Sequence, residues 1–441
     1  MSIKVVKFGG SSLADATQFR KVAEIIKADP TRRYVIPSAP GKRFPTDTKV
    51  TDMLYRCYDL IKARASEEEI DAQYAQIVER YNGIIRDLGL DFDLSGEFQY
   101  VKNAMLHASG RDYVASRGEY LNALILAKYL KFGFIDAENV IFFRENGSFD
   151  EERTNEALAA ELESYERAVI PGFYGLMPNG TIKTFSRGGS DITGSIVARA
   201  CCADLYENWT DVSGFMMADP RIIKNPLPIG TITYRELREL SYMGATVLHE
   251  DAIFPVRYAK IPINIRNTNK PDDEGTMIVA ETNSYDRENV ITGIAGKKGF
   301  SVIRVEKDMM NSEIGFGRKV LETIEEFGLS FEHLPSGIDT MSIIISTQSI
   351  ADKRERLLAA IQRRTNADAI TIEDGVTILA IVGRGMIKAK GTAARIFTAL
   401  SNAGINIRMI DQGSCELNII VGIDDSEYEH AIEAIYNEFV K

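Results

Sequence analysis

Four glycine pairs in the last third of the chain keep one spacing. Gly299 and Gly375, Gly315 and Gly391, Gly328 and Gly404, and Gly337 and Gly413 are each 76 residues apart. Apolar positions hold the same register: Val320 with Ile396, Ile324 with Leu400, Leu329 with Ile405. A fixed period of this length marks a duplicated supersecondary unit. Each copy reads as a strand (300–305; 376–381), a helix opening at Gly315 or Gly391, two strands, and a last helix starting near Ile350 or Ser426. Such units fold as α+β layers with helices packed on one sheet face. The repeat therefore divides the chain into a larger domain over 1–283 and two copies at 290–365 and 366–441. Small paired units of this kind suit ligand sensing or plain dimerisation, and the pattern alone allows either.

The totals exclude several classes. The 441 residues are too many for one core. With 45% apolar and 26% charged residues, the composition is that of an ordinary soluble protein. A net charge of −11 argues against a nucleic-acid-binding face. Cys57, Cys201, Cys202 and Cys415 show neither disulfide nor zinc spacing, which fits a reducing cytoplasm, and none of the four histidines is paired at metal-ligand spacing. No signal peptide precedes the first strand, and no apolar run reaches the ~18 residues that span a bilayer. Neither a nucleic acid nor a membrane is expected as a partner.

The large domain opens with Val5-Val6-Lys7-Phe8-Gly9-Gly10-Ser11-Ser12, an apolar strand running into a glycine turn, after which Leu13, Phe19, Val22, Ile25 and Ile26 keep helical spacing. Glycines let a backbone approach a ligand, and a helix N-terminus offers unpaired N–H groups to a phosphate. Lys7 adds a full charge; an ordinary tight turn with a surface lysine would read the same way. The loop after Tyr34-Val35-Ile36, containing Ser38, sits where open α/β sheets place ligands. Thr51 opens a helix, and 66–90 reads as a polar, solvated helical insertion. Glu119 stands beside the apolar run of 120–127, where a carboxylate is usually paired. A second glycine turn, Ser186-Arg187-Gly188-Gly189-Ser190-Asp191, carries a guanidinium suited to a carboxylate and precedes another helix, which Ser190 alone could cap. Thr210-Asp211-Val212-Ser213-Gly214-Phe215, closed by Asp219-Pro220-Arg221, follows a further strand. Neither a Walker A sequence nor G-x-G-x-x-G after a strand occurs, so no P-loop or dinucleotide fingerprint is present.

Taken together, Lys7-Phe8-Gly9-Gly10-Ser11-Ser12, Arg187-Gly188-Gly189-Ser190-Asp191, Thr210-Asp211-Val212-Ser213-Gly214 and Met243-Gly244-Ala245-Thr246-Val247-Leu248-His249 resemble the aspartokinase family. The repeat is similar to that family's tandem ACT domains, and the likeness covers essentially the whole chain. It implies an amino-acid-kinase αβα sandwich followed by two α+β ACT domains, in the monofunctional form without a fused homoserine dehydrogenase. The implied reaction moves the γ-phosphoryl of ATP onto the β-carboxylate of L-aspartate, the committed step toward lysine, threonine and methionine. Lys7 and Asp191 are then catalytic, Lys7 on the phosphoryl group and Asp191 orienting it. Gly9, Gly10, Ser11, Ser38, Thr210, Asp211, Phe215 and Arg221 are implied on the ATP side, with Mg²⁺ held largely by ATP oxygens and water. Thr51, Glu119, Arg187, Gly188, Gly189 and Ser190 are implied on the aspartate side, with Arg187 on the α-carboxylate and Glu119 on the ammonium. An end-product amino acid, lysine or threonine, is implied at ACT interfaces of a homodimer or tetramer. Its contacts would include Met310, Asn311, Ser312, Gly315, Glu332, Ser336 and Asp339, and the Glu332 carboxylate favours lysine. Two positions depart from the family: Thr246, where many members carry a nucleotide-contacting lysine, and Met216, where a tyrosine is common. A kinase for another small acceptor, or a catalytically dead sensor, are the competing readings.

Overall fold

A computed structural model of the chain describes residues 2–107, 110–186, 188–244, 250–282 and 290–440. It divides into two compact units. The first comprises Met1–Phe215, Pro228–Tyr234 and Thr246–Thr282; the second comprises Met216–Leu227, Arg235–Ala245 and Asn283–Lys441.

The first unit is built on β1 (Lys4–Phe8), β2 (Arg32–Pro37), β3 (Gly133–Phe134), β4 (Ala168–Val169), β5 (Tyr174–Leu176), β6 (Ile182–Thr184), β7 (Leu205–Thr210), β8 (Thr231–Thr233), β9 (Ile263–Asn267) and β10 (Thr276–Val279). Among the described residues, eight of these form one sheet in the order β3-β4-β2-β1-β7-β9-β10-β8, and β5-β6 pair separately. All pairings from β3 to β9 are parallel; β10 runs antiparallel to β9. The apolar run before Lys7 is thereby explained: β1 is central, flanked by β2 and β7, with Val5, Val6 and Phe8 fully buried. Charge under the sheet is paired, Arg32 Nε lying 2.8 Å from Glu207 and the Trp209 indole N–H donating to the same carboxylate at 2.8 Å.

Helices α1 (Ala16–Ala28), α2 (Val50–Lys62), α3 (Glu67–Leu88), α4 (Ser95–Leu106), α5 (Arg111–Leu130), α6 (Glu151–Leu162) and α7 (Gly189–Ala200) belong to this unit. The solvated reading of 66–90 is corrected here. α3 does start with a capping box on Ser66 and Glu69, but Ile70, Tyr74, Ile77, Tyr81 and Ile84 recur at helical spacing and are buried, the last four of them in the main core. Its acidic first turn is dipole chemistry at a helix start, and the next four turns pack one face inward.

Past α8 (Tyr234–Tyr242) and α9 (Phe254–Tyr258), the second unit carries β11 (Gly293–Glu306), α10 (Phe316–Glu326), β12 (Thr340–Ser346), α11 (Thr347–Ile350), α12 (Arg354–Thr365), β13 (Ala369–Val382), α13 (Thr392–Asn402), β14 (Met409–Asp411), β15 (Asn418–Asp424) and α14 (Tyr428–Phe439). The sheet order is β12-β11-β13-β15-β14. β11 and β13 are related by the 76-residue offset and pair antiparallel along their whole length, Gly293 opposite Val382 and Glu306 opposite Ala369. The register slips between Lys297 and Val302, where Gly299 (φ 91°) and Gly375 (φ 74°) bend both strands through the left-handed region. Residues 300–306 thus lie between β12 and 369–373, while 376–382 lie between β15 and 293–297. The two copies exchange a strand, so the boundary between 365 and 366 cuts the sequence repeat and not the sheet.

Candidate active site

β1 must turn where it leaves the sheet, and two backbones converge there. The Gly9 N–H donates to the Trp209 carbonyl at 2.9 Å, extending the pairing with β7. Gly10–Leu13 then forms a 3-10 turn, and α1 begins only at Ala16, capped by Asp15. Two expectations change. The cradle is a 3-10 turn, not the N-terminus of an α-helix, and Gly9 spends its N–H inside the sheet. The Gly10 and Ser11 N–H groups, first in that turn, are the ones left for an anion. Gly10 is needed for another reason as well: a Cβ there would come 2.8 Å from the Ala39 carbonyl and 3.2 Å from the Gly41 nitrogen.

Lys7 and Asp191 are brought together. Lys7 Nζ lies 2.5 Å from Asp191 Oδ1, and both side chains are largely buried. Asn208 Nδ2 donates to the same oxygen at 2.8 Å, and the Tyr206 hydroxyl donates to the Asp191 carbonyl at 3.1 Å. Asp191 stands in the first turn of α7, whose N-cap Gly188 has φ 64°. Gly189 and Ser190 pack against 172–173: a side chain on Gly189 would strike the Phe173 ring, and a Cβ on Gly172 would come 2.7 Å from Ser190 Cβ. The carboxylate is thus fixed by its neighbours, and it holds the ammonium of Lys7.

Beside this pair is a cleft of about 570 Å³ lined by Gly9, Gly10, Ser11, Ser38, Thr51, Glu119, Thr210 and Asp211 with the loop 39–45 and Lys49. The loop is held by α3. Arg80, itself buried, donates to the Gly41 carbonyl at 2.5 Å and pairs with Asp47 at 2.9 Å; Arg43 forks onto the same carboxylate at 2.8 and 3.0 Å. These guanidinium bonds hold the Asp47 carboxyl well below the usual carboxylate range. Asn122 Nδ2 donates to the Ser38 carbonyl at 2.7 Å, fixing the loop's other end.

Glu119 is 5% exposed on α5. Its Oε1 accepts the Ala39 N–H at 3.1 Å, while Oε2 has no partner among the described residues. Burial pushes its pKa up to about 8, against the opposing pull of that N–H and of the Lys7 and Arg117 charges. In place of the salt bridge usual for such a group, Glu119 has a second oxygen that is buried and has no hydrogen-bond partner among the described residues.

The remaining candidates divide. Phe215 is 1% exposed and is not among the residues that line the cleft. Arg221 lies in the segment that groups with the second unit, its guanidinium forked onto Asp219 with Nε 3.0 Å from each oxygen. Arg187 and Thr246 lie outside the described residues. In the second unit, the turn Met310–Ser312 and the 338–339 loop come together: the Asn311 N–H donates to the Ile338 carbonyl at 3.1 Å and the Met309 N–H to Asp339 at 2.9 Å. Gly315 caps α10 at φ 84°. Ser336 bonds the Leu334 carbonyl at 3.2 Å, and Glu332 accepts the Tyr242 hydroxyl at 2.5 Å. Arg80, Asn122, Asn208 and the cations of the 39–49 loop escaped the sequence reading. The available signal was a pair of polar residues, Glu207-Asn208, inside a buried strand.

The amino acid kinase family model matches residues 2–267, and an ACT domain model matches 379–439. Aspartokinase 3 of Bacillus subtilis (strain 168) is 40% identical, over 99% of this chain and 98% of that protein. The chain belongs to the aspartokinase family. Among solved structures, Clostridium acetobutylicum aspartate kinase is 52% identical with a TM-score of 0.90 over the whole of both chains. Escherichia coli aspartokinase III, solved with aspartate and ADP, matches over the whole of both chains at 22% identity and a TM-score of 0.74, a likeness of fold. As an aspartokinase the chain is an ATP-dependent phosphotransferase with a carboxyl acceptor. Such kinases use a divalent metal with ATP. Among the described residues no three His, Cys, Asp or Glu side chains converge on a metal position. Among the lining residues, the Asp211 carboxylate and the Ser11, Ser38 and Thr210 hydroxyls are oxygen donors of the kind a hard divalent ion takes.

Proposed function

We propose that this enzyme transfers the γ-phosphoryl group of ATP to the β-carboxylate of L-aspartate, with Lys7 as the charge on the transferring group and Asp191 as its positioning partner. The observation that carries this is the 2.5 Å Lys7–Asp191 pair at the end of the central strand, bordering a cleft that also holds the buried Glu119 carboxyl. A carboxylate is already a nucleophile, so the site needs alignment and charge stabilisation and no strong base. Gly10 and Ser11 N–H groups and the Ser11 and Ser38 hydroxyls would surround the phosphates, with Thr210 and Asp211 toward the nucleotide. Thr51 and Glu119 would receive aspartate, Glu119 taking the ammonium, with Arg187 and the 188–190 turn on the α-carboxylate. Mg²⁺ bound to the nucleotide supplies charge neutralisation on the phosphates.

The reading divides the chain into a kinase domain (1–283) and ACT domains at 290–365 and 366–441, and it places the enzyme in the cytoplasm as a homodimer or tetramer. The C. acetobutylicum relative is an allosteric enzyme. Control here is assigned to an end-product amino acid at the ACT domains, near Met310–Ser312 and 332–339, with lysine favoured over threonine. A hydroxamate assay comparing aspartate with glutamate, with lysine and threonine titrated separately, tests both parts. The expected result is turnover of aspartate only and inhibition by one effector. Equal turnover of glutamate would overturn the substrate assignment, and indifference to both effectors would overturn the regulatory one.

A further inference from the structure

Both reactants of this cleft are anions, and most of its cations are already spent. Lys7 is neutralised by Asp191 at 2.5 Å. Arg43 is forked onto Asp47, and Arg80 is divided between Asp47 and the Gly41 carbonyl. Lys42 Nζ donates to the Pro45 carbonyl at 3.3 Å. Asp211 and Glu119 add carboxyl groups to the lining. What remains is Lys49, which lines the cleft with an exposed side chain and has no hydrogen bond or ion pair from its ammonium among the described residues.

Its backbone is well fixed. Lys49 is the N-cap of α2, its carbonyl accepting the Met53 N–H at 3.1 Å, and the next residue, Val50, donates to the Pro40 carbonyl at 3.1 Å. The first turns of α2 also pack directly on the helix that carries Glu119. A Cβ on Gly118 would come 2.9 Å from the Ala39 side chain, 3.3 Å from Leu54 and 3.8 Å from Val50. Only glycine allows that approach, and it brings the head of α2 to the residue before Glu119. Lys49 and Thr51 therefore border the cleft on the side of the Glu119 carboxyl, which has one buried oxygen with no hydrogen-bond partner among the described residues.

We propose that Lys49 is a further substrate-binding residue, its ammonium anchoring a carboxylate of the amino-acid acceptor while Glu119 receives that acceptor's ammonium. An α-amino acid presents both charges within one small molecule, and among the described lining residues Lys49 and Glu119 offer a group of each sign with no ion pair of its own. The assignment rests on the acceptor being aspartate. It adds a second cation to the Arg187 guanidinium assigned above to the α-carboxylate.

The test compares wild type with Lys49→Met and Lys49→Arg, reading steady-state constants for both substrates and calorimetric binding of aspartate without nucleotide. Lys49→Met should raise KM and the calorimetric Kd for aspartate by about tenfold, the loss of one charged hydrogen bond. KM for ATP should change less than about twofold on the same logic, and Lys49→Arg should restore most of the loss. A rise confined to KM for ATP would place the ammonium on the nucleotide phosphates and overturn the proposal. Unchanged constants for both substrates would overturn it too. If wild type itself neither turns over nor binds aspartate, the acceptor assignment has failed, which is a separate result.

Discussion

Replacing Glu119 with glutamine removes the most perturbed carboxyl in the cleft and tests what its burial is for. The side chain is 5% exposed, has one backbone donor, and carries a pKa of about 8. A carboxyl that must be ionised to hold an ammonium is then mostly in the wrong state near neutrality. With that pKa, roughly one site in eleven is ionised at pH 7 and roughly three in four at pH 8.5. Aspartate KM should therefore fall about eightfold over that interval, and binding at pH 7 should release close to one proton per site. Calorimetry in two buffers of different ionisation enthalpy measures that proton, and steady-state assays measure the KM slope. In Glu119→Gln both signals should vanish and KM should become flat and high. The stability effect has the opposite pH sense. Because folding raises this pKa from 4.5, the carboxyl's contribution is complete below pH 4.5 and is lost as pH climbs through 8. Glu119→Gln should hence unfold at higher temperature than wild type at pH 8.5, with the gap shrinking toward pH 5. A wild-type KM independent of pH, with no proton released, would refute the reasoning.

Gly10→Ala drives a Cβ to 2.8 Å from the Ala39 carbonyl, so the glycine turn must shift; kcat/KM for ATP should drop at least about tenfold, whereas Gly96→Ala, whose Cβ meets nothing within 4 Å, should leave kinetics unchanged. Arg80→Met leaves the Gly41 carbonyl without its side-chain donor and Asp47 with one cation; a stability loss of about 1–3 kcal/mol is expected by denaturant titration, together with higher KM for both substrates as the cleft wall loosens.

Features set by a few consecutive residues were readable. β1, its glycine turn and the turn before Asp191 are local patterns of burial and punctuation, and the sequence placed all three. The cost of reading locally appears at Gly9, whose N–H looked available to a phosphate; its acceptor is the Trp209 carbonyl, 200 residues away in sequence. α3 was misread because its acidic start and high charge outweighed an apolar stripe already present at Ile70, Tyr74, Ile77, Tyr81 and Ile84. With the helix taken as solvated, Arg80 had no reason to be noticed. The 76-residue period made Gly299 and Gly375 equivalent, but equivalence does not say which copy a strand pairs with. The exchange follows from the antiparallel register of β11 and β13 across those glycines, a property of pairing that no single segment encodes.

Lys7 is held 2.5 Å from Asp191 at the end of the central strand. The most direct measurement is the hydroxamate assay on Lys7→Ala, with circular dichroism and calorimetric aspartate binding on the same sample. The expected result is a loss of kcat of at least about a thousandfold in a folded protein that still binds aspartate. A folded Lys7→Ala variant that phosphorylates aspartate at near the wild-type rate would contradict it.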